Sequence, residues 1–474
     1  MSSLDPMLRK LLLLLLLAPL PALPVFASER LAALDEKVLG WMEEAGLPAL
    51  HYGIIENGRV VHIGRLGEAA APGASATADP AFAIGSLTKA FTAHAVLLLE
   101  ERGVLALDQP VVDWLPEFAS SSRADEPLRI IDLLHHRSPF NAADGFSGHP
   151  SLDARVEELA RIRSSRQASG GFAYSNANYE LLGAIIERAA KRPFDQFIQQ
   201  EVLDPLGIKA RFAPDSEQLG APGHQDVFGW DWPIDRYRLS PSEWPSGGLV
   251  ISLPDYLRSL QVHMDPEAFA SANGLSPEGF RRWHAAGSAE DDLGYAFGWF
   301  QITLAGRPML FHDGLTSGFQ SAAFLAPDKG FAVVAFANRN ALPVGGAPAA
   351  SQIARNIGRE WLGEPHLWDG FAGLATQRWI KLGLLGLFLL GAARLLRPAA
   401  RQAQSRRRWV VSMLVGCTLA SILLFGLPAF LGLPLRALFG FAPDLAALLL
   451  GGAAMAVAGP LLRRPAALAG RHEP

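Results

Sequence analysis

Three short clusters in the sequence carry side chains that can perform acyl transfer. In the first, Ser86 and Lys89 stand three positions apart at the start of a predicted helix over 87–102, so the hydroxyl and the amine share one face. Free backbone N–H groups at a helix start can stabilise an oxyanion, and a lysine that burial keeps neutral can act as a base. Taken alone, so short a pair more often marks a serine N-cap followed by an exposed lysine.

The second and third clusters add a phenol, an amide and an imidazole. Tyr174 can relay protons if a cation lies close, and the amide of Asn176, two residues later, can hold a substrate carbonyl or amide. His312 follows a predicted strand, Gly314 permits close approach of the backbone, and the N–H of Leu315 can then point at a ligand. In isolation the second cluster is typical of a turn and the third of an ordinary strand end.

Both ends of the region that carries these clusters have the pattern of β-strands. Asn57-Gly58 favours a tight hairpin turn within 51–64. Further strand-like runs lie at 295–303, 319–326 and 331–337, and helical periodicity lies between, at 87–102, 178–190 and 194–203. The short connections predict an α+β fold, in which an antiparallel sheet built from both ends holds a long, mostly helical insertion.

Four stretches together resemble a known family. FAIGSLTKAFTAHAVLLLEERGVLALDQPVVDWLPEF, which holds the first cluster, is similar to the serine β-lactamase and penicillin-binding-protein superfamily, and most similar to its class C branch. FAYSNANYELLGAIIERAAKRPFDQFIQQEVLDPLGI, PSGGLVISLPDYL and HDGLTSGFQSAAF continue the likeness in the family's order. The resemblance runs from about residue 35 to 340 and implies a β-lactamase/DD-peptidase-like fold, with an antiparallel sheet flanked by helices.

The resemblance also implies a role for each cluster. Ser86 would be the acylated nucleophile and Lys89 its base, and Tyr174 would shuttle protons to the leaving group and from the deacylating water. Asn176 would contact the substrate amide, and no metal or organic cofactor is implied.

For the third cluster, the resemblance implies substrate binding. The N–H groups of Ser86 and Leu315 would form the oxyanion hole beside Gly314, and His312 would take the place of the family's third-motif cation.

The sequence departs from the family pattern in two places. His312-Asp313-Gly314 replaces Lys-Thr-Gly, and an imidazole is a weaker anchor for a β-lactam carboxylate than an ammonium group. In the family this form resembles D-amino-acid peptidases and esterases more than antibiotic-degrading enzymes. The segment LLHHRSPF replaces LLxHTSG, and its His136 is expected to be structural.

An irregular aromatic stretch follows the second cluster. Its tryptophans can wall an acyl pocket, but packing under a loop is the favoured interpretation. They are Trp230, Trp232 and Trp244.

Composition limits the class of protein. The chain has 474 residues, 50% of them hydrophobic, and one cysteine, Cys417, which excludes an intrachain disulfide or a cysteine metal cluster. A net charge of -4 argues against a nucleic-acid partner. Residues 371–474 hold twelve Lys and Arg against two acidic residues, so the last part of the chain is basic and apolar.

Both ends of the chain carry membrane signals. A basic start, the leucine run 11–17 and small residues near 27 predict a secretory signal over 1–27, or else an uncleaved anchor. Apolar segments near 379–396, 409–431 and 441–462 predict three transmembrane helices within 366–474. Five arginines lie between the first two segments, with Arg394 at the end of the first, and positive loops stay cytoplasmic. A hydrolase domain over 28–365 is therefore expected on the periplasmic side of the cytoplasmic membrane.

These observations favour a membrane-embedded serine hydrolase that acts on D-amino-acid peptides, esters or related amides. Its partners would be small-molecule or peptide substrates, with cell-wall fragments within reach. One alternative is a catalytically idle sensor that binds wall peptides. Another, transport by the apolar helices, is disfavoured because their only acidic residue is Asp444, at an edge.

Overall fold

The computed structural model describes most of the chain. The described residues are 23–67, 79–121, 127–146, 148–164, 171–212, 221–234, 239–267, 274–285, 294–340, 347–365, 372–396, 405–430 and 434–462. The predicted signal sequence lies outside them up to residue 22, and its last residues belong to the first helix, so it stays a prediction.

The described strands lie near the beginning, in the middle and near the end of residues 49–340. They are β1 (Ala49–Glu56), β2 (Arg59–Gly67), β3 (Ala81–Ala83), β4 (Ala210–Phe212), β5 (Gly223–Val227), β6 (Trp230–Ile234), β7 (Leu249–Ser252), β8 (Tyr295–Ala296), β9 (Trp299–Leu304), β10 (Arg307–Thr316), β11 (Phe319–Ala326), β12 (Phe331–Ala337) and β13 (Arg339–Asn340).

The described α-helices fill the insertion and the end of the chain. They are α1 (Leu23–Glu44), α2 (Thr88–Glu101), α3 (Ile130–Leu134), α4 (Leu152–Ser164), α5 (Asn176–Ala190), α6 (Phe194–Phe197), α7 (Trp244–Gly247), α8 (Leu253–Met264), α9 (Pro277–His284), α10 (Ala349–Trp361), α11 (Ala372–Leu396), α12 (Arg406–Ser421), α13 (Leu427–Phe430), α14 (Leu435–Phe441) and α15 (Pro443–Leu461).

The main sheet has seven strands in the order β2-β1-β12-β11-β10-β9-β8, and every neighbouring pair is antiparallel. The predicted hairpin turn is present, with positive φ angles at Asn57 and Gly58. Strand β1 pairs with β12, which comes more than 250 residues later, so both ends of the region build one sheet. The expected α+β fold class is confirmed.

Helices cover both faces of this sheet. Alternate residues of β12 face opposite sides: Val333 packs with α1 and α10, whereas Val334 packs with α2, α5 and α8. Two small sheets flank the main one, in the orders β3-β7-β4 and β13-β5-β6. The first small sheet holds the strand that precedes Ser86, and the second projects a hairpin, β5–β6.

The C-terminal helices form a packed group. Two of them, Arg407–Gly426 and Pro443–Leu461, are long and apolar enough to cross a membrane. The first predicted span lies in α11, whose described part carries three basic residues. The described residues therefore support two candidate spans, and the third stays a prediction. At Gly416 an added Cβ would collide with the Ala456 carbonyl oxygen, the close backbone contact typical of helix packing in membranes.

Candidate active site

Ser86 lies in a 3₁₀ turn, Gly85–Leu87, between β3 and α2. Two hydrogen bonds fasten this turn: Ile84 N–H donates to the Leu249 carbonyl at 3.1 Å, and the Ser321 hydroxyl donates to the Ile84 carbonyl at 2.7 Å. The α-helix itself begins at Thr88, one residue later than predicted, and Ser86 does not cap it. Lys89 is fully buried, so the alternative of a serine N-cap with an exposed lysine is wrong.

The structure brings Ser86, Lys89 and Tyr174 together. The Lys89 amine lies 2.9 Å from the Ser86 hydroxyl oxygen, and the Tyr174 hydroxyl donates to the same oxygen at 2.9 Å. The amine also donates to the Asn176 side-chain carbonyl at 2.8 Å and to the Ser246 backbone carbonyl at 2.7 Å. One hydroxyl is thus contacted by an amine and a phenol.

Burial lowers the pKa of Lys89 to about 7, against an opposing effect of Glu180 and Asp313. Its three hydrogen-bond partners are neutral oxygens. A neutral amine has two N–H donors and one lone pair. When the two N–H groups donate to the carbonyl oxygens of Asn176 and Ser246, the lone pair is free to accept the Ser86 proton. This is the arrangement that a general base needs.

Tyr174 is held as a protonated phenol. Burial raises its pKa, and the hydrogen bond to Ser86 opposes that rise only in part. The Lys89 amine lies 5.1 Å from the centre of the Tyr174 ring, and the ring stacks on Phe300 at 6.1 Å. The amine that becomes a cation once it takes the Ser86 proton is therefore adjacent to the tyrosine.

Asn176 is the first residue of α5, and its amide N–H₂ donates to the Gly145 carbonyl at 3.3 Å. Glu180 lies one turn later on the same helix, fully buried, and its carboxylate pairs with Arg155 at 2.5 Å. Burial raises the pKa of Glu180 to about 7. Sequence reasoning missed Glu180, although its spacing of four from Asn176 places both on one helix face.

The third cluster lies on β10, which borders the turn that carries Ser86. Strand β9 pairs with β10 only as far as Phe311, which leaves the next residues unpaired on that edge. An added Cβ at Gly314 would collide with the Ile84 carbonyl oxygen, and one at Gly85, where φ is +53°, would lie 2.8 Å from the Leu315 nitrogen. Both glycines are needed for this close approach.

His312 is buried and neutral. Its Nδ1 lies 2.6 Å from the Asp313 carbonyl oxygen and must donate to it, so Nε2 accepts from the Tyr295 hydroxyl at 3.2 Å. Burial, together with the charge of Lys89, lowers the pKa of His312 to about 3. An uncharged ring therefore occupies the position that the resemblance gives to the family's third-motif cation. Sequence reasoning also missed Tyr295, which no motif marks.

His136 has the structural role that the sequence predicts. Its Nδ1 accepts from the Ser175 backbone N–H at 3.2 Å, and its ring packs against that of Tyr174 at 4.4 Å. The His136 ring therefore helps to hold the Tyr174 ring in position.

The tryptophans divide into two groups. Trp244 stacks on Phe212, in accordance with the predicted packing role. Trp230 and Trp232, by contrast, are 54% and 65% exposed on the β5–β6 hairpin, so packing under a loop is wrong for both. Strand β6 is the edge strand of its small sheet, and four of its five residues are exposed among the residues that the structure describes.

Comparisons with known proteins agree with this geometry. The family model described as Beta-lactamase matches residues 34–355. Penicillin-binding protein 4 of Amycolatopsis lactamdurans is 27% identical over 62% of this chain and 79% of its own length. Esterase EstB of Burkholderia gladioli is 31% identical over 48% of this chain and 67% of its own length.

A solved structure supports the fold. A beta-lactamase from Sulfitobacter superposes with a TM-score of 0.60 at 22% identity, covering 71% of this chain and 99% of that one. Fold and site together define a protein of the serine hydrolase type. The chain belongs to the beta-lactamase family, within the superfamily of serine β-lactamases and penicillin-binding proteins.

Proposed function

We propose that this protein is a serine hydrolase that forms an acyl-enzyme on Ser86. The observation that carries the proposal is the contact of the Ser86 hydroxyl with both Lys89 and Tyr174, each at 2.9 Å. This contact supports the proposal because the hydroxyl, the amine and the phenol that acylation would use lie within hydrogen-bonding distance. The idle sensor has no specific observation in its favour.

The reaction follows from the contacts. Ser86 Oγ attacks the substrate carbonyl carbon while its proton passes to neutral Lys89, and the carbonyl oxygen gains negative charge beside the N–H groups of Ser86 and Leu315. The carbon–oxygen or carbon–nitrogen bond then breaks, and the leaving group takes a proton from Tyr174, which regains one from Lys89. Water attacks the acyl-enzyme by the reverse proton route and releases the acid.

The proposed substrates are D-amino-acid peptides, esters or related amides. Their support is the similarity to a protein named a penicillin-binding protein and to one named an esterase. The neutral His312 gives no full positive charge for a carboxylate, so we expect weak binding of penicillins. Asn176 would contact the substrate amide once it gives up one of its hydrogen bonds, to the Lys89 amine or to the Gly145 carbonyl.

We also propose a location. The signal over 1–27, three spans within 366–474 and a hydrolase domain over 28–365 outside the cytoplasmic membrane remain the best account of the charge pattern. The two long apolar helices support membrane association in part. Cell-wall fragments would then be within reach.

Active-site labelling tests the proposal. The full chain, in detergent, is incubated with a fluorophosphonate or a fluorescent penicillin and examined by intact mass spectrometry. The expected result is one fluorophosphonate adduct on the wild type, slower penicillin labelling, and neither adduct on Ser86→Ala. Equal labelling of both proteins would exclude Ser86 as the nucleophile, and no labelling together with no hydrolysis of esters or D-peptides would favour the sensor.

A further inference from the structure

The β5–β6 hairpin is joined to the C-terminal helices by buried charges. Asp226 of β5 accepts from Lys381 of α11 at 2.8 Å and from Arg339 at 3.0 Å, and Lys381 also contacts Asp444 of α15 at 2.7 Å. Both carboxylates are buried. Separating the hairpin from α11 would leave a buried charge without its partner, which costs free energy. The ion pairs therefore hold the hairpin against the C-terminal helices.

Further contacts clamp the same hairpin. The Gln225 amide donates to the Phe441 carbonyl at 2.6 Å, and the Phe228 N–H donates to the Asp444 carboxylate at 2.9 Å. The Arg378 guanidinium lies 5.1 Å from the centre of the Trp230 ring. The hairpin therefore contacts the beginning of α11 and the beginning of the candidate span Pro443–Leu461.

The active site borders this junction on two sides. Gly145, whose carbonyl accepts from the Asn176 amide, is followed by Phe146, and the Phe146 ring packs edge-on against Phe441 at 5.9 Å. On the other side an added Cβ at Gly318, in the turn after β10, would lie 3.1 Å from the Gly223 backbone of β5. Both rims of the site thus contact either the hairpin or the segment that leads into the last apolar helix.

Two large aromatic side chains project from the hairpin. Trp230 and Trp232 are two positions apart on β6 and therefore share one face, and both are more than half exposed. Trp379, at the start of α11, is exposed as well. Indole rings favour the boundary between lipid tails and headgroups, and these rings lie where the apolar helices begin.

We propose that Trp230 and Trp232 insert into the outer membrane–water interface, and that the site hydrolyses lipid-bearing esters or amides held in that leaflet. The substrate class rests on the proposed hydrolase function and orientation. A cleft fixed at the bilayer surface meets a membrane-bound substrate at high effective concentration, whereas a single flexible tether would not hold it there. Ser86 takes the acyl group, the lipid-bearing or head fragment leaves, and water releases the acid.

The location is tested without any activity. The full chain with Cys417→Ser, which removes its one cysteine, receives Trp232→Cys and a fluorescent label, and is reconstituted into phosphatidylcholine vesicles that contain headgroup-region nitroxide lipids. The matched control is Val104→Cys, which is 40% exposed and lies beyond the end of α2 farthest from Ser86. We expect strong quenching at 232 and little at 104. Equal, weak quenching at both positions would overturn the inference.

The substrate class is tested in the same vesicles. For the variant Trp230→Ser with Trp232→Ser, we expect kcat/KM for water-soluble p-nitrophenyl butyrate to stay unchanged and that for vesicle-borne p-nitrophenyl palmitate to fall about ten-fold. Val104→Ser is the matched control and should change neither. Equal rates for the variant and the wild type on palmitate would contradict the inference but leave the hydrolase intact. If the wild type cleaves neither ester, the proposed function itself fails, and the quenching result still stands by itself.

Discussion

Two lysines of this chain have opposite surroundings. Lys89 contacts three neutral oxygens, of a hydroxyl, an amide and a backbone carbonyl, and burial lowers its pKa to about 7. Lys381 contacts two carboxylates, of Asp226 and Asp444. The first lysine is therefore suited to be a base, because burial lowers its pKa. The second pairs with two carboxylates that are themselves buried, which suits it to a structural role.

The comparison shows that burial alone does not define what a lysine does. The groups in contact differ: Lys89 lies among neutral oxygens, whereas Lys381 lies between two carboxylates. The two lysines should therefore respond in opposite ways to the same substitution, one in activity and the other in stability.

The largest expected effect is on activity. Lys89→Met keeps most of the side-chain volume but removes the base, and we expect kcat/KM for a soluble ester to fall by about 10³-fold, within the range of general-base catalysis. Thermal unfolding of the full chain in detergent should remain cooperative. Activity within a factor of two of the wild type would show that Lys89 is not the base.

The next effect is on stability. Lys381→Met leaves Asp444 and part of Asp226 buried without a cation, so we expect the free energy of unfolding to fall by roughly 3–5 kcal/mol. The measurement is thermal and denaturant unfolding in detergent, together with soluble-ester kinetics at 25 °C, which should hardly change. Lys381→Arg, which keeps the charge, is the control and should recover most of the stability. A stable Lys381→Met protein would mean that the junction is loose.

Much of the site was predictable from the sequence because its key pairs are local. Ser86 and Lys89 are three residues apart, and Tyr174 and Asn176 flank the start of one helix; the family resemblance implies that these two local pairs belong to one site. The neutral state of His312 was not predictable, because it follows from burial beneath Tyr295 and from the nearby Lys89, which only tertiary packing brings together.

The same reason explains the other misses. Trp230 and Trp232 are exposed on an edge strand within the described part of the chain, and nothing local in the sequence signals that exposure. The contact of Lys381 with Asp226 joins residues 155 positions apart, so it could not be read from spacing. The sheet, by contrast, was predictable because β-rich apolar runs are joined by turn residues such as Asn57-Gly58.

The smallest expected effect sharpens the account of Lys89. Asp313 raises the pKa of Lys89 through its charge, so Asp313→Asn should lower that pKa further and move the pH midpoint of activity to a lower value, by a fraction of a pH unit. The exposed Asp328→Asn is the matched control. A shift to higher pH in Asp313→Asn, or the same shift in both variants, would contradict the electrostatic account.

The pH dependence of Ser86 acylation tests the central claim most directly. The second-order rate constant for fluorophosphonate labelling of the full chain is measured from pH 5 to pH 9. Because only neutral Lys89 can accept the serine proton, the rate should rise about ten-fold per pH unit below the pKa and level off above about 7. A rate that is flat over the whole range, or that still rises steeply at pH 9 as for an ordinary lysine, would contradict the claim that buried Lys89 is the base.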